Sequence, residues 1–248
     1  MYTIITSLNQ KYWDEGAKEN SHFLDKNWIS NESIYVYHEF QSIPQHQLSN
    51  RVQWVDLYKS CPGIKEFGDK WKNHPHANGS DGTNFRLNAI KFVHKTFAIW
   101  HRAKVQQTGY LVWLDCDAFV YNKINDSFVS TIFDKNKMIA YIGRPGKYSE
   151  CGFLIFNLDH PDTHNFLNRW ETLYTSGDFI NLLETHDSWT FDHIRKEWGK
   201  PELFFDLNKE ALTKKNPFGS SKIGSYISHA KGDNKKDKLA KLQRKLKQ

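Results

Sequence analysis

The chain has 248 residues, 39% of them hydrophobic and 25% charged, with a formal net charge of +6. That balance describes a folded globular chain, long enough for one large α/β domain or two small ones, and excludes a disordered one. No apolar run reaches the ~18 residues of a membrane-spanning helix, and Met1–Thr6 lacks the charged start and long apolar stretch of a signal peptide. Three widely spaced cysteines, Cys61, Cys116 and Cys151, fit neither a zinc motif nor a disulfide framework, so a cytoplasmic protein is expected.

In chain order, Tyr2–Ser7 is a β-branched run and the first predicted strand. Asn9–Tyr12 reads as a loop, Asp14–Trp28 as a helix, and Ser33–His38 and Val52–Leu57 as strands. The polar stretch Cys61–Asn84, rich in Gly, His and Asn, has no clear period and reads as a long loop, which in a compact domain is usually functional. Phe85, Ala89, Phe92, Val93, Phe97 and Trp100 repeat at helical spacing across Phe85–Val105. Leu111–Asp115 is the next strand, followed by a short helix at Phe128–Phe133 and strands at Met138–Ile142 and Gly152–Phe156. Thr163–Tyr174 and Ser188–Trp198 are amphipathic helices, Leu203–Asp206 and Ser225–His229 are late short strands, and Lys214–Lys222 is a polar loop. Alternating strands and helices predict an α/β fold around a mostly parallel central sheet flanked by helices.

Three nucleotide and ester chemistries are disfavoured by missing motifs. There is no G-x-G-x-x-G for a dinucleotide, no G-x-x-x-x-G-K-[ST] for a nucleoside triphosphate, and no G-x-S-x-G nucleophile elbow. What the chain does carry is Leu111-Val112-Trp113-Leu114-Asp115-Cys116-Asp117, an apolar strand ending in two aspartates one residue apart. Open α/β sheets bind ligands at the carboxyl ends of their strands. Two carboxylates delivered there suit a hard divalent cation such as Mn²⁺ or Mg²⁺, which commonly bridges to substrate phosphates. On their own, the two residues also fit an ordinary strand end, because Asp is common in turns.

A second motif, His229-Ala230-Lys231-Gly232-Asp233-Asn234-Lys235, follows the last predicted strand. A neutral imidazole can complete a carboxylate metal site, a glycine lets backbone approach a phosphate, and a lysine supplies a point charge for it. Together, Asp-x-Asp and the later H-x-x-G-x-x-K resemble the GT-A nucleotide-sugar glycosyltransferases, most closely the layout of glycosyltransferase family 8, over roughly Phe85–Lys235. Glu150-Cys151-Gly152 through Asn157 stands where that family has an N-x-G strand ending in Asn, and His186-Asp187-Ser188 where it has Asp-Gln at a helix start. Glu150 thus replaces the usual Asn, Ser188 the usual Gln, and Lys236-Asp237 follows where the family has Pro-Trp.

The resemblance implies a GT-A type single domain and a metal-dependent transfer of a sugar from a nucleotide-diphosphate donor, UDP-sugar favoured, to a hydroxyl acceptor. That acceptor is a glycan, a lipid-linked saccharide or a modified DNA base. It places Asp115, Asp117 and His229 on the metal, and Asp115, Gly232 and Lys235 on the donor. Arg86 would reach the diphosphate or the donor sugar. Thr6, Asn9 and Tyr12 follow the first strand, where such folds hold the base. Asp187 would face the sugar hydroxyls, and Glu150 is a further candidate base or nucleophile. Each has a plainer reading: a solvated helix face for Arg86, Lys91 and Lys95, an ion pair with Arg144 or Lys147 for Glu150, and a helix cap for Asp187. Cys116 is expected to point into the sheet as a small buried hydrophobe. The competing readings are a nucleotidyltransferase and a non-enzymatic basic nucleic-acid-binding module.

Residues 1–235 are expected to form the catalytic domain and 236–248 a basic helical tail. Leu239, Leu242 and Leu246 share one helical face among lysines and an arginine. Such a tail suits an anionic membrane surface or DNA, placing the protein at the periphery of a membrane, or it is simply a solvated helix.

Overall fold

The computed structural model describes residues 2–209 and 217–229. Nine strands are found there: β1 (Tyr2–Leu8), β2 (Ile34–His38), β3 (Val52–Asp56), β4 (Tyr110–Leu114), β5 (Ala118–Val120), β6 (Ile139–Ile142), β7 (Glu150–Asn157), β8 (Phe204–Asp206) and β9 (Ile227–His229). Seven form one sheet in the order β3-β2-β1-β4-β7-β6-β8. β7 pairs antiparallel with both neighbours and every other pairing in that sheet is parallel, so β7 alone runs against the rest. This is the mostly parallel α/β architecture expected from the alternation of elements.

The sheet is covered on both faces because its strands alternate between two apolar clusters. Ile5, Leu111, Trp113, Leu154 and Phe156 point to one face, and Ile4, Val112, Leu114, Phe153 and Ile155 to the other. The first face packs α2 (Gly63–Trp71), α3 (Ala89–Gln106), α4 (Thr163–Thr175) and α5 (Asp187–Glu197); the second packs α1 (Lys18–Asn27) and the short helix Phe128–Ile132. Complete burial of each such aliphatic or aromatic side chain stabilises the fold by about 1.5–3 kcal/mol. In β7 every residue is buried, as a central strand covered on both faces requires.

The chain runs β1 to β2 to β3 toward one edge, then returns through α3 to place β4 on the other side of β1. The connections leaving β1 and β4 therefore diverge. A crevice opens at their carboxyl ends, the usual place for a ligand in an open α/β sheet.

Several expectations are corrected. Cys61–Asn84 is not a loop: it holds α2 and the helix Pro75–Gly82. Ile64 and Phe67 are buried one turn apart and Trp71 packs beside them, while Pro75 sits at the first turn with the His74 imidazole accepting from the His76 amide at 3.2 Å. The polar residues facing water conceal that stripe in the sequence. The helix expected over Asp14–Trp28 is broken at Gly16, whose φ of 127° favours glycine, so α1 starts at Lys18 after a wide turn at Trp13–Ala17. The expected loop Asn9–Tyr12 contains a single helical turn, Gln10–Tyr12. The helix expected from Phe85 begins at Ala89, because the Asn88 side chain caps it by accepting from the Lys91 amide at 3.2 Å. Strand β5 was not expected. Gly232, Lys235, the tail 236–248 and the boundary before it lie outside the described residues. No helix among the described residues is long and apolar enough to cross a membrane.

Candidate functional site

Asp115 follows β4 directly, and its amide donates to the Gly152 carbonyl of neighbouring β7 at 2.9 Å. That bond fixes the carboxylate at the carboxyl end of a central strand. Two residues later the chain turns into β5, which pairs antiparallel with β9 in the register Ala118↔His229. The two-stranded ribbon brings His229 to Asp117 across 112 residues of sequence: imidazole Nε2 lies 2.7 Å from Asp117 Oδ1. One donor atom from each of Asp115, Asp117 and His229 lies within 4.8 Å of the others.

Three further observations show that these residues fit a divalent cation. The His229 side chain is almost fully buried, and its Nδ1 has no hydrogen-bond partner among the described residues. A Cβ at Gly152 would sit 3.0 Å from the His229 ring and 3.1 Å from Asp115 Oδ2, so only glycine leaves the space between them open. The donor set, two carboxylates and one imidazole, matches the preferences of Mn²⁺ and related ions.

Asp115 Oδ1 is already engaged, accepting from the Trp113 indole at 2.7 Å and from Lys95 Nζ at 2.9 Å. Its Oδ2 faces Gly152 and His229. Lys95 is buried on α3, also donates to Asp187 Oδ2 at 2.7 Å and to the Cys151 carbonyl, and lies 5.0 Å from the centre of the Trp113 ring. Burial alone would lower the ammonium's pKa, but Asp115 and Asp187 outweigh it and push it up. Burial likewise opposes ionisation of Asp187, yet Lys95 and His186 hold its carboxyl well below the usual range. Lys95 and Asp187 form a buried ion pair, which half-buried Asp115 joins from the cavity side.

Two cavities meet over this network. The first, about 490 Å³, lies at the ends of β1, β2 and β4; its walls include Asn9, Tyr12, Glu39, Lys91, Asp115 and Asp117. The second, also about 490 Å³, shares Tyr12, Lys91, Asp115, Asp117 and Asp187 and adds Arg144, Tyr148, Glu150, Ser188 and His229. Burial first, then the neighbouring Cys116, Asp117 and Asp115, pushes the Tyr12 phenol up, so it remains a neutral donor. Lys91 Nζ stands 5.7 Å from the centre of its ring.

Of the residues singled out in the sequence, Asn9, Tyr12, Asp115, Asp117, Glu150, Asp187 and His229 line one or both cavities. Asn9 also caps the turn that presents Tyr12, accepting from the Tyr12 amide at 3.0 Å. Glu150 is buried, accepts from the Gly152 amide at 3.2 Å and lies 3.8 Å from Arg144, so the expected ion pair forms. Asp187 is the first residue of α5, but the cap is His186. Thr6 does not reach the crevice; its hydroxyl is buried in β1 without a partner among the described residues. Arg86 lines neither cavity: it is exposed in the turn Phe85–Leu87, 3.5 Å from Glu184. Cys116, expected to be buried, is half-buried and lines the first cavity. Lys95, read from the sequence as part of a solvated helix face, is buried and bonds directly to Asp115 and Asp187. In the sequence it stands in the polar triplet His94-Lys95-Thr96, between the apolar pair Phe92-Val93 and the apolar run Phe97-Ala98-Ile99.

Neither a protein-family model nor a curated protein sequence matches this chain. Among solved structures, the chain is similar to mouse xyloside xylosyltransferase 1 in its apo form, with a TM-score of 0.50 and 11% identity, covering 84% of this chain and 85% of that one. It is also similar to a glycosyltransferase involved in glycosylation of the major capsid of PBCV-1, with a TM-score of 0.49 and 13% identity over 96% and 98% of the two chains. At such identity the first likeness is one of fold, and it agrees with the strand order above: the chain is a mixed α/β domain of the GT-A type.

Proposed function

We propose that this chain is a metal-dependent glycosyltransferase that moves a sugar from a nucleoside-diphosphate donor, UDP-sugar first, to a hydroxyl acceptor. The observation that carries this reading is the convergence of Asp115, Asp117 and His229 at the floor of two joined cavities, at the carboxyl ends of β1 and β4. The motif layout of family 8 is in keeping with it.

In this reading Asp117, His229 and Asp115 Oδ2 hold Mn²⁺ or Mg²⁺. The ion supplies Lewis-acid neutralisation of the charge that builds on the departing diphosphate. Tyr12, Asn9 and Lys91 bind the nucleoside and its phosphates in the first cavity, with Gly232 and Lys235 assisting. Asp187, kept ionised by Lys95, accepts hydrogen bonds from the donor sugar in the second cavity and so orients it. Glu150, beside the same cavity and 3.7 Å from His229 Nδ1, is the carboxylate placed to orient the imidazole or to receive the acceptor proton.

The test is release of free nucleoside diphosphate from a panel of nucleotide sugars, with Mn²⁺, with Mg²⁺ and with a chelator. Slow release from a UDP-sugar that needs the ion and disappears in Asp117→Asn is expected. Pyrophosphate release from nucleoside triphosphates, with no turnover of any nucleotide sugar, would instead make the chain a nucleotidyltransferase.

A further inference from the structure

A third cavity, of about 590 Å³, continues the series. It is lined by Arg86, Lys147, Tyr148, Trp189, Arg195 and Lys196, among others, and shares Tyr148 with the cavity that holds Glu150 and Asp187. The first cavity shares no wall with it. The three therefore follow one another, with the candidate reaction centre in the middle.

The charge of this third cavity is one-sided. Four cationic side chains, Arg86, Lys147, Arg195 and Lys196, face one carboxylate, Asp192. That carboxylate is consumed internally: it accepts from the Ser149 amide and hydroxyl at 2.7 Å each and from Arg195 Nε and Nη2 at 3.0 and 2.9 Å. Arg86 is partly balanced by Glu184 at 3.5 Å, and His193 lies 3.1 Å from Glu197. Lys147 and Lys196 are exposed and have no ion pair among the described residues. Between these cations stand the rings of Trp189 and Tyr148, with the Arg144 guanidinium 4.6 Å from the centre of the Tyr148 ring.

We propose that this groove is the acceptor site and that the acceptor is a saccharide bearing an anionic group, a phosphate or a carboxylate. The inference rests on the glycosyl-transfer reading above and names the substrate class of its second side. A cleft lined by one sign of charge concentrates ligands of the opposite sign. Lysine supplies point charges and arginine a planar fork, and both recognise phosphate and carboxylate. The aromatic faces suit the C–H face of a sugar ring, with a polar edge left for its hydroxyls. A neutral glycan would leave the like charges of Lys147 and Lys196 uncompensated. Since Tyr148 borders both cavities, a ring seated on it lies next to Glu150 and Asp187.

The test compares the wild-type protein with the double variant Lys147→Ala/Lys196→Ala, both saturated with UDP and Mn²⁺ so that the donor cavity is filled. Binding of glucose 1-phosphate, glucuronate and glucose is titrated by calorimetry or ligand-observed NMR. The wild-type protein is expected to bind at least one of the two acids tenfold or more tightly than glucose, with an affinity that falls as salt rises, and the double variant is expected to lose that preference. Which acid binds separates phosphate from carboxylate. Equal affinity for all three sugars, or a preference that survives in the double variant, overturns the acceptor assignment. Binding of a short single-stranded oligonucleotide, lost in the double variant, with no binding of either acid, also overturns it in favour of a nucleic-acid surface. UDP binding is read first: its absence removes the glycosyl-transfer reading and the acceptor assignment with it, whereas UDP binding without a preference for the acids removes only the latter.

Discussion

Gly152 and His229 approach so closely that a Cβ on the glycine would lie 3.0 Å from two atoms of the imidazole ring. The same Cβ would lie 3.1 Å from Asp115 Oδ2. A residue in a fully buried strand is thus kept small by the space needed between two candidate metal ligands. Gly152→Ala is expected to fold, because the ring can shift by a few tenths of an ångström, and to bind Mn²⁺ about 10–100-fold more weakly, the usual effect of disturbing the surroundings of a ligand. Thermal unfolding and an Mn²⁺ titration of the same sample separate the two effects. An unchanged Mn²⁺ affinity would remove Gly152 from the account.

Lys95 is expected to matter more for stability than any surface charge. Replacing it by Met leaves the Asp115 and Asp187 carboxylates facing each other without their cation, and breaking a buried pair in this way costs about 3–5 kcal/mol. Lys95→Met/Asp187→Asn should recover part of that loss, because the uncompensated buried charge goes with the carboxylate. Chemical denaturation of the two variants checks this; a double variant no more stable than the single one would refute the coupling.

The pH dependence of this pair has a definite sign. The folded-state pKa of Asp187 is depressed, so its contribution is fully present above the ordinary carboxylate range and declines as pH falls below that range toward the folded value. The stability difference between the wild-type protein and Asp187→Asn should therefore stay constant from neutral pH to about pH 5 and shrink at lower pH. Lys95, whose pKa is raised, contributes fully at all pH values below the ordinary lysine range, so no loss is expected on mild alkalinisation. Denaturation midpoints between pH 3 and pH 9 measure both limbs, in conditions bracketing the ordinary values. A difference that grew on acidification would contradict the pairing.

The parts of this account legible in the sequence are those carried by contiguous chemistry. The run Leu111–Leu114 has to be buried, and Asp115 and Asp117 have to emerge from it, so the strand and its acidic end could be read together. His229 could be named as a partner and set at the end of a short strand but not placed beside Asp117, because its position depends on pairing with β5, a three-residue strand too short to leave a period. Lys95, flanked by His94 and Thr96, could not be told from the other lysines of α3, since the helix packs one side against the sheet and nothing local says which lysine turns inward. Cys61–Asn84 was misread because its two helices keep only Ile64, Phe67, Trp71 and Ala77 on the packed side and cover the rest with polar residues. Arg86 was misplaced by a break at Asn88 that a periodicity argument does not detect.

Of the three thiols, Cys116 should react before the other two. Burial pushes Cys61 up to about 12 and also raises Cys151 well above the ordinary thiol value, whereas Cys116 is half-buried on the wall of the first cavity. At neutral pH a small alkylating reagent is expected to label Cys116 first, and UDP with Mn²⁺ to slow that labelling severalfold. Mass spectrometry of the labelled peptides gives the order; labelling of Cys116 at an unchanged rate under saturating UDP would place the nucleotide elsewhere.

The central claim, that Asp115, Asp117 and His229 together hold a divalent cation beneath a nucleoside diphosphate, is tested most directly by electron paramagnetic resonance of Mn²⁺ titrated into the protein with UDP present. The wild-type protein should bind one ion, and Asp117→Asn and His229→Ala should each bind it at least tenfold more weakly while unfolding at wild-type temperature or close to it. Mn²⁺ affinity unchanged in both variants would contradict the account.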